Sequence, residues 1–163
     1  MIDYLPATAR YSLDTSSLVN GWGKHYPPDL FAPVWVHIDT LIQQQVVVAS
    51  AEVMNEIRRQ ADDLHDWCHD RDNAFIDLIP DIQANVTTIL QRYPRLVAAG
   101  RNAADPFVVG VAMLDAARVC VVTEETRIGG SERRPKMPFI CDQSGISCMT
   151  FVDMLRTTGF RIP

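Results

Sequence analysis

Two short, wholly apolar runs constrain this chain most, residues 46–49 (Val-Val-Val-Ala) and 119–122 (Val-Cys-Val-Val), and residues 10–14 (Arg-Tyr-Ser-Leu-Asp) read as a further buried strand ending in a polar turn. A strand with one wet face alternates apolar and polar residues, whereas a strand buried on both faces is continuously apolar. Between these runs, apolar residues recur every three to four positions. After the Pro27-Pro28 stop, Phe31, Val34, Ile38, Leu41 and Ile42 predict a helix over residues 29–44. Ser50 is placed to cap a helix in which Val53, Ile57, Ala61, Leu64 and Cys68 form one stripe. Ile82, Val86, Ile89 and Tyr93 predict a helix over 80–92. Asp105-Pro106 reads as a helix start, a capping carboxylate followed by proline at the first helical position. That helix runs through Phe107, Val111 and Leu114 to about residue 117. A strand at 147–149 leads to a last helix, capped by Thr150 and stopped by Gly159. Thr15-Ser16-Ser17 reads as a polar turn, and residues 1–9 as a short leader.

Apolar strands alternating with amphipathic helices predict an α/β domain with a mainly parallel sheet of about four to five strands, covered on both faces. The 163 residues suit one domain over 1–163. With 47% hydrophobic and 21% charged residues, disorder is excluded as the main state. The longest apolar runs fall far short of the ~20 residues that cross a bilayer, and no signal-like start is present, so the reading is a cytoplasmic protein with no membrane partner. The net charge of −5 argues against gripping nucleic acid through bulk charge, while allowing a local basic patch. Cys68, Cys120, Cys141 and Cys148 include no Cys-x-x-Cys pair and read as small buried thiols.

In parallel sheets, ligands bind outside the carboxyl ends of the strands, where strand order reverses. Acids gather in the corresponding parts of this sequence. Asp14 ends the first strand, and Glu56 lies near the start of the helix that follows the second. Asp105 opens the helix before the third, and Glu124-Glu125 follows that strand directly. Carboxylates converging there repel one another unless a cation lies between them, and oxygen-only ligation suits Mg²⁺ or Mn²⁺.

Four motifs then fall in the order and context of a known family. Leu13-Asp14-Thr15-Ser16, Ser50 with Glu56-Ile57, Ala104-Asp105-Pro106-Phe107 and Val122-Thr123-Glu124-Glu125 resemble the PIN-domain nucleases. Arg92-Tyr93-Pro94, the stretch from Lys136-Met137-Pro138 through Cys141, and Asp153-Met154-Leu155-Arg156 are similar to one bacterial branch. That branch is catalogued as a domain of unknown function and grouped with VapC-like toxins. The resemblance spans about residues 10–160. It implies a PIN-like three-layer sandwich, metal-dependent hydrolysis of RNA, a toxin role with an antitoxin partner, and a possible homodimer. Carried over by motif, Asp14, Glu56, Asp105 and Glu125 are the catalytic metal ligands, and Ser16 and Thr123 are supporting hydroxyls. The family's fourth acid is an aspartate in a Thr-x-Asp pattern; here Glu125 stands there, one methylene longer, with Glu124 beside it.

Each residue also has a plainer reading. Asp14 and Asp105 suit simple caps, Glu56 a solvated helix acid (with Glu52 one turn earlier), and Glu124 and Glu125 loop charges. Residues 124–137 read as a loop in which Arg127, Arg133, Arg134 and Lys136 either touch RNA phosphates or are merely solvated. Trp22, His25 and Tyr26 suit base stacking or a protein interface equally. His65-Asp66-Trp67-Cys68-His69 has two histidines four apart but no third ligand, and reads as the polar end of a helix. A haloacid-dehalogenase-like phosphatase needs an aspartate where Ser16 stands. A receiver domain needs one at a later strand end, which residues 46–50 do not supply. The rival from another class is a silent PIN-like module whose acidic pocket receives an arginine from a partner protein.

Overall fold

The computed structural model describes residues 1–59, 62–97 and 103–162. A five-stranded, all-parallel sheet runs through it in the order β3-β2-β1-β4-β5. The strands are β1 (Tyr11–Leu13), β2 (Val47–Ser50), β3 (Phe75–Ile76), β4 (Cys120–Val122) and β5 (Cys148–Met149). Eight α-helices flank the sheet among the described residues: α1 (Thr15–Asn20), α2 (Pro28–Gln43), α3 (Ala51–Ile57), α4 (Asp62–His69), α5 (Pro80–Arg92), α6 (Asp105–Ala112), α7 (Met137–Gln143) and α8 (Phe151–Thr157). This is the three-layer α/β arrangement expected from the alternation of apolar runs and helical stripes. None of the described helices is long and apolar enough to cross a membrane.

The pleat explains the layers. Val47 and Ala49 of β2 join a cluster with Val34, Trp35, Ile38 and Leu41 of α2. Val48, between them, points the other way and meets Ile82 and Val86 of α5 and Val111 of α6. Burying one such side chain fully contributes roughly 1.5–3 kcal/mol, so each helix is held by a few residues of its stripe. Gly110 lets α5 and α6 approach, since a Cβ there would sit 3.1 Å from Val86 Cγ2. Gly159, at φ +79°, stops α8 in a left-handed cap, with Phe160 N–H donating to Leu155 O at 3.0 Å.

Several expectations are corrected. Thr15-Ser16-Ser17 is no turn but the first turn of α1, directly after Asp14. Phe31 leaves the helical stripe, with φ −124° and ψ 37° and its side chain exposed. Pro33, two residues on, lacks an N–H and its ring crowds the carbonyl four residues back, which kinks α2 here. The single helix expected through Cys68 is two, α3 and α4, and Ala61 of its stripe lies outside the described residues. The helix expected to reach residue 117 ends at Ala112 and tightens into a 3₁₀ turn to Asp115. Residues 1–9, read as a short leader, pack against the sheet: Ile2 N–H donates to Phe75 O at 2.9 Å, extending the β3 edge, and Ala9 is fully buried. Trp22 is not a free surface ring but packs on Trp35 and Trp67, at 4.7 and 5.6 Å between ring centres. The four cysteines are free thiols, and three are buried.

Candidate functional site

Strand order reverses between β1 and β4. The chain runs from β1 out to β2 and β3, then returns to the other side of β1 for β4 and β5. Leu13 pairs with Val122, so the residues that follow them, Asp14 and Thr123, stand side by side at the carboxyl edge. That edge is the expected ligand crevice of an open parallel sheet.

Asp14 is buried there, and its Oδ2 accepts from Ser16 Oγ at 2.6 Å and from Thr123 Oγ1 at 2.7 Å. Those hydroxyls accept in turn from backbone: Glu124 N–H donates to Ser16 Oγ and Glu125 N–H to Thr123 Oγ1, each at 3.1 Å. A two-step chain thus runs from the β4–α7 backbone into one carboxylate oxygen and polarises both hydroxyls toward it. Burial raises the Asp14 carboxyl above its ordinary value. The two hydroxyl bonds oppose that rise, and the charges of Glu125 and Glu56 add to it.

Asp105 opens α6, yet it does not cap it. Ala104 holds the cap position with helical dihedrals (φ −81°, ψ −22°), Asp105 is the first helical residue, and no side chain caps this end. A capping side chain works from an extended backbone, as at Ser50 with ψ 149°. Freed from that role, the Asp105 carboxylate turns inward: it is buried, and its Oδ2 has no hydrogen-bond partner among the described residues. Burial, then the charges of Asp14, Glu125 and Glu56, push it up to about 9.

Glu56 bridges the two aspartates' neighbours. Its Oε2 accepts from Thr15 Oγ1 at 2.6 Å, and its Oε1 from Ala104 N–H at 3.5 Å. Glu52, its rival one turn earlier, accepts instead from Asn55 on an exposed face. The pair after β4 also separates. Glu125 acts electrostatically on both aspartates, and its Oε2 accepts from Met137 N–H at the start of α7, at 2.7 Å. Glu124 turns the other way and accepts from Phe151 N–H at the start of α8, at 2.9 Å.

Asp14, Glu56, Asp105 and Glu125 therefore act on one another electrostatically, with Ser16 and Thr123 hydrogen-bonded to Asp14. An oxygen-only donor set with a buried, unpartnered carboxylate oxygen suits a hard divalent cation. Among the described residues, however, no three acids are gathered closely enough to hold a metal ion as they stand. Of the basic loop residues, Arg127 lines a pocket with Thr123 and Glu125, yet none is hydrogen-bonded to the four acids among the described residues. Arg127 is tied to Asp142 through both carboxylate oxygens, and Lys136 Nζ donates to Ile128 O at 2.7 Å. Arg133 and Arg134 are exposed. His65 and His69 lie 6.2 Å apart between ring centres on α4, with no third ligand among the described residues.

Sequence reasoning missed Thr15, which holds Glu56, and Met137, whose N–H holds Glu125. Pro138 carried a signal for the second, because proline in a first helical turn marks a helix start just where Glu125 finds its donor.

A family model described as a domain of unknown function (DUF4411) matches residues 11–162, nearly all of the chain and the whole of this site. No curated protein and no solved structure matches.

Proposed function

We propose, from the premise that the chain belongs to the DUF4411 family, that its acidic cluster is the centre of a metal-dependent ribonuclease. The observation that carries this reading is the buried, unpartnered Oδ2 of Asp105 beside three further acids. In the cell it would act in the cytoplasm as the toxin of a toxin–antitoxin pair, restrained by an antitoxin protein, as the resemblance to PIN-domain nucleases implies.

Asp14, Glu56, Asp105 and Glu125 would hold Mg²⁺ or Mn²⁺. When bound, such a cation supplies Lewis-acid stabilisation of charge on a phosphodiester and activates water for attack on phosphorus. Ser16 and Thr123 occupy Oδ2 of Asp14 and fix the carboxylate's orientation while leaving Oδ1 available. Thr15 and Ala104 hold Glu56 between the two aspartates. Arg133, Arg134 and Lys136, on the loop before α7, would meet phosphates farther along the strand.

A second reading has its own support. No three acids are gathered closely enough for a metal among the described residues, and Glu125 already spends one oxygen on Met137 N–H. A silent module would offer the same pocket to a partner's arginine. Cleavage of labelled cellular RNA by the purified protein separates the two. Discrete cuts with Mn²⁺ or Mg²⁺ that vanish in EDTA and in folded Asp105→Asn support the nuclease. Cuts that persist in Asp105→Asn, or no cuts with any metal, overturn it.

A further inference from the structure

A cleft of about 170 Å³ opens beside the acidic cluster, lined by His25, Tyr26, Glu124, Phe151 and Val152. Its rings come from two places. His25 ends the π-helical turn Gly21–His25 after α1 and Tyr26 follows it, and Phe151 begins α8. Ring centres lie 6.3 Å apart for His25 and Tyr26 and 5.9 Å for Tyr26 and Phe151. Phe151 is buried and forms the floor, whereas the His25 ring is exposed and Tyr26 half-buried. Trp35 Nε1–H donates to Tyr26 O at 2.6 Å and fixes the turn that carries both outer rings.

The polar member is Glu124. Its Oε1 accepts from Phe151 N–H, a helix anchor that leaves that oxygen a second lone pair, and its Oε2 carries no protein hydrogen bond among the described residues, so both oxygens can still accept. Glu124 N–H donates to Ser16 Oγ, which donates to Asp14 Oδ2, so the cleft begins one residue from the acidic cluster. An occupant of the cleft is therefore covalently continuous with an occupant of the cluster if both belong to one nucleotide strand.

We propose that this cleft is a nucleobase subsite, and that Glu124 makes it select guanine in single-stranded RNA. The proposal rests on the reading of the neighbouring acids as an RNA-cleaving centre. Aromatic side chains stack splayed-out bases, and single-stranded bases are read on their Watson–Crick edges. A carboxylate only accepts hydrogen bonds. Guanine alone presents two adjacent donors on that edge, N1–H and N2–H₂. Adenine and cytosine place a ring-nitrogen acceptor beside their amino group, and uracil flanks its N–H with two carbonyls, so each brings lone pairs against Glu124. An arginine from a partner protein is the competing occupant, and its test is built in below.

The experiment measures binding of uridine-rich hexanucleotides carrying one G, A, C or U, by fluorescence anisotropy with Ca²⁺ replacing Mn²⁺, to the wild type, Glu124→Gln, His25→Ala and Asp105→Asn. The G oligonucleotide should bind the wild type about tenfold more tightly than the other three. Glu124→Gln keeps an acceptor for Phe151 N–H and should keep its melting temperature, yet it should lose that preference. Should that variant not fold, His25→Ala, an exposed change, should still weaken the G oligonucleotide about fivefold. Equal or absent binding of the four, or a guanine preference that survives Glu124→Gln, overturns the proposal. So does tight binding of N-acetyl-arginine amide that is lost in Glu124→Gln while the oligonucleotides go undiscriminated. Cleavage without guanine preference sinks this inference and leaves the nuclease standing. Guanine preference kept in Asp105→Asn, with no cleavage by the wild type, does the reverse.

Discussion

At the start of α8, Thr150 sits extended (ψ 164°), accepts from Asp153 N–H at 3.3 Å and donates to the Asp153 carboxylate at 2.7 Å, while Glu124 takes Phe151 N–H. At the start of α6, Asp105 carries an equally good capping group, yet it caps nothing and holds a bare oxygen in the interior. The first arrangement satisfies backbone donors and stabilises the fold. The second leaves a carboxylate buried among like charges and costs stability. Where one of two similar signals is obeyed and the other broken, the broken one is where the proposed chemistry predicts its residue, because local folding does not account for it.

The sharpest way to break this comparison is to neutralise each start and measure both activity and stability. Asp105→Asn should lower metal-dependent RNA cleavage by at least about 100-fold, yet raise the melting temperature of the metal-free protein. A variant that is both inactive and less stable would erase the contrast. Ser16→Ala or Thr123→Val, which each remove a donor from Asp14, should cost about 10–100-fold in Mn²⁺ affinity or cleavage, read by titration and single-turnover kinetics. The pH dependence sharpens the point. Between its unfolded value of about 4 and about 9, Asp105 binds more protons in the folded state than in the unfolded one. Stability of the metal-free protein should therefore fall as pH rises across that window and level off above it, and Asp105→Asn should flatten the slope in denaturant titrations. Thr150→Ala should instead destabilise by about 1 kcal/mol, with cleavage per folded molecule unchanged. The smallest effect belongs to the exposed loop: Arg133→Ala or Arg134→Ala should weaken RNA binding uniformly and reduce the salt slope by about 1 each.

How legible the site was depended on whether a residue's role was local. Ser50, Thr150 and Gly159 act within one helical turn, so cap chemistry read from neighbours placed them well. Asp14 was legible for a different reason: a carboxylate that ends a doubly buried strand lands at the carboxyl edge whatever else the sheet does. Glu124 and Glu125 were not separable, because adjacent residues differ only in which way each turns. That choice is made by two helix starts, Phe151 and Met137, lying 27 and 12 residues away. The two-residue strand β3 and the seven-residue α7 were likewise too short to register as periodic runs.

By itself the sequence determined the layers. Continuously apolar runs must be buried on both faces, and amphipathic helices must cover them, because only that arrangement removes both kinds of apolar surface from water. It also determined that acids would collect near the ends of those runs. Only the tertiary structure decided which acids meet. Strand order, with β4 returning beside β1, brings Thr123 against Asp14 across 109 residues of chain. The same packing folds the N-terminus of α6 inward so that Asp105 loses its cap and its water together. Electrostatics among carboxylates depends on distance and burial, and those are properties of the packed layers rather than of any stretch of sequence.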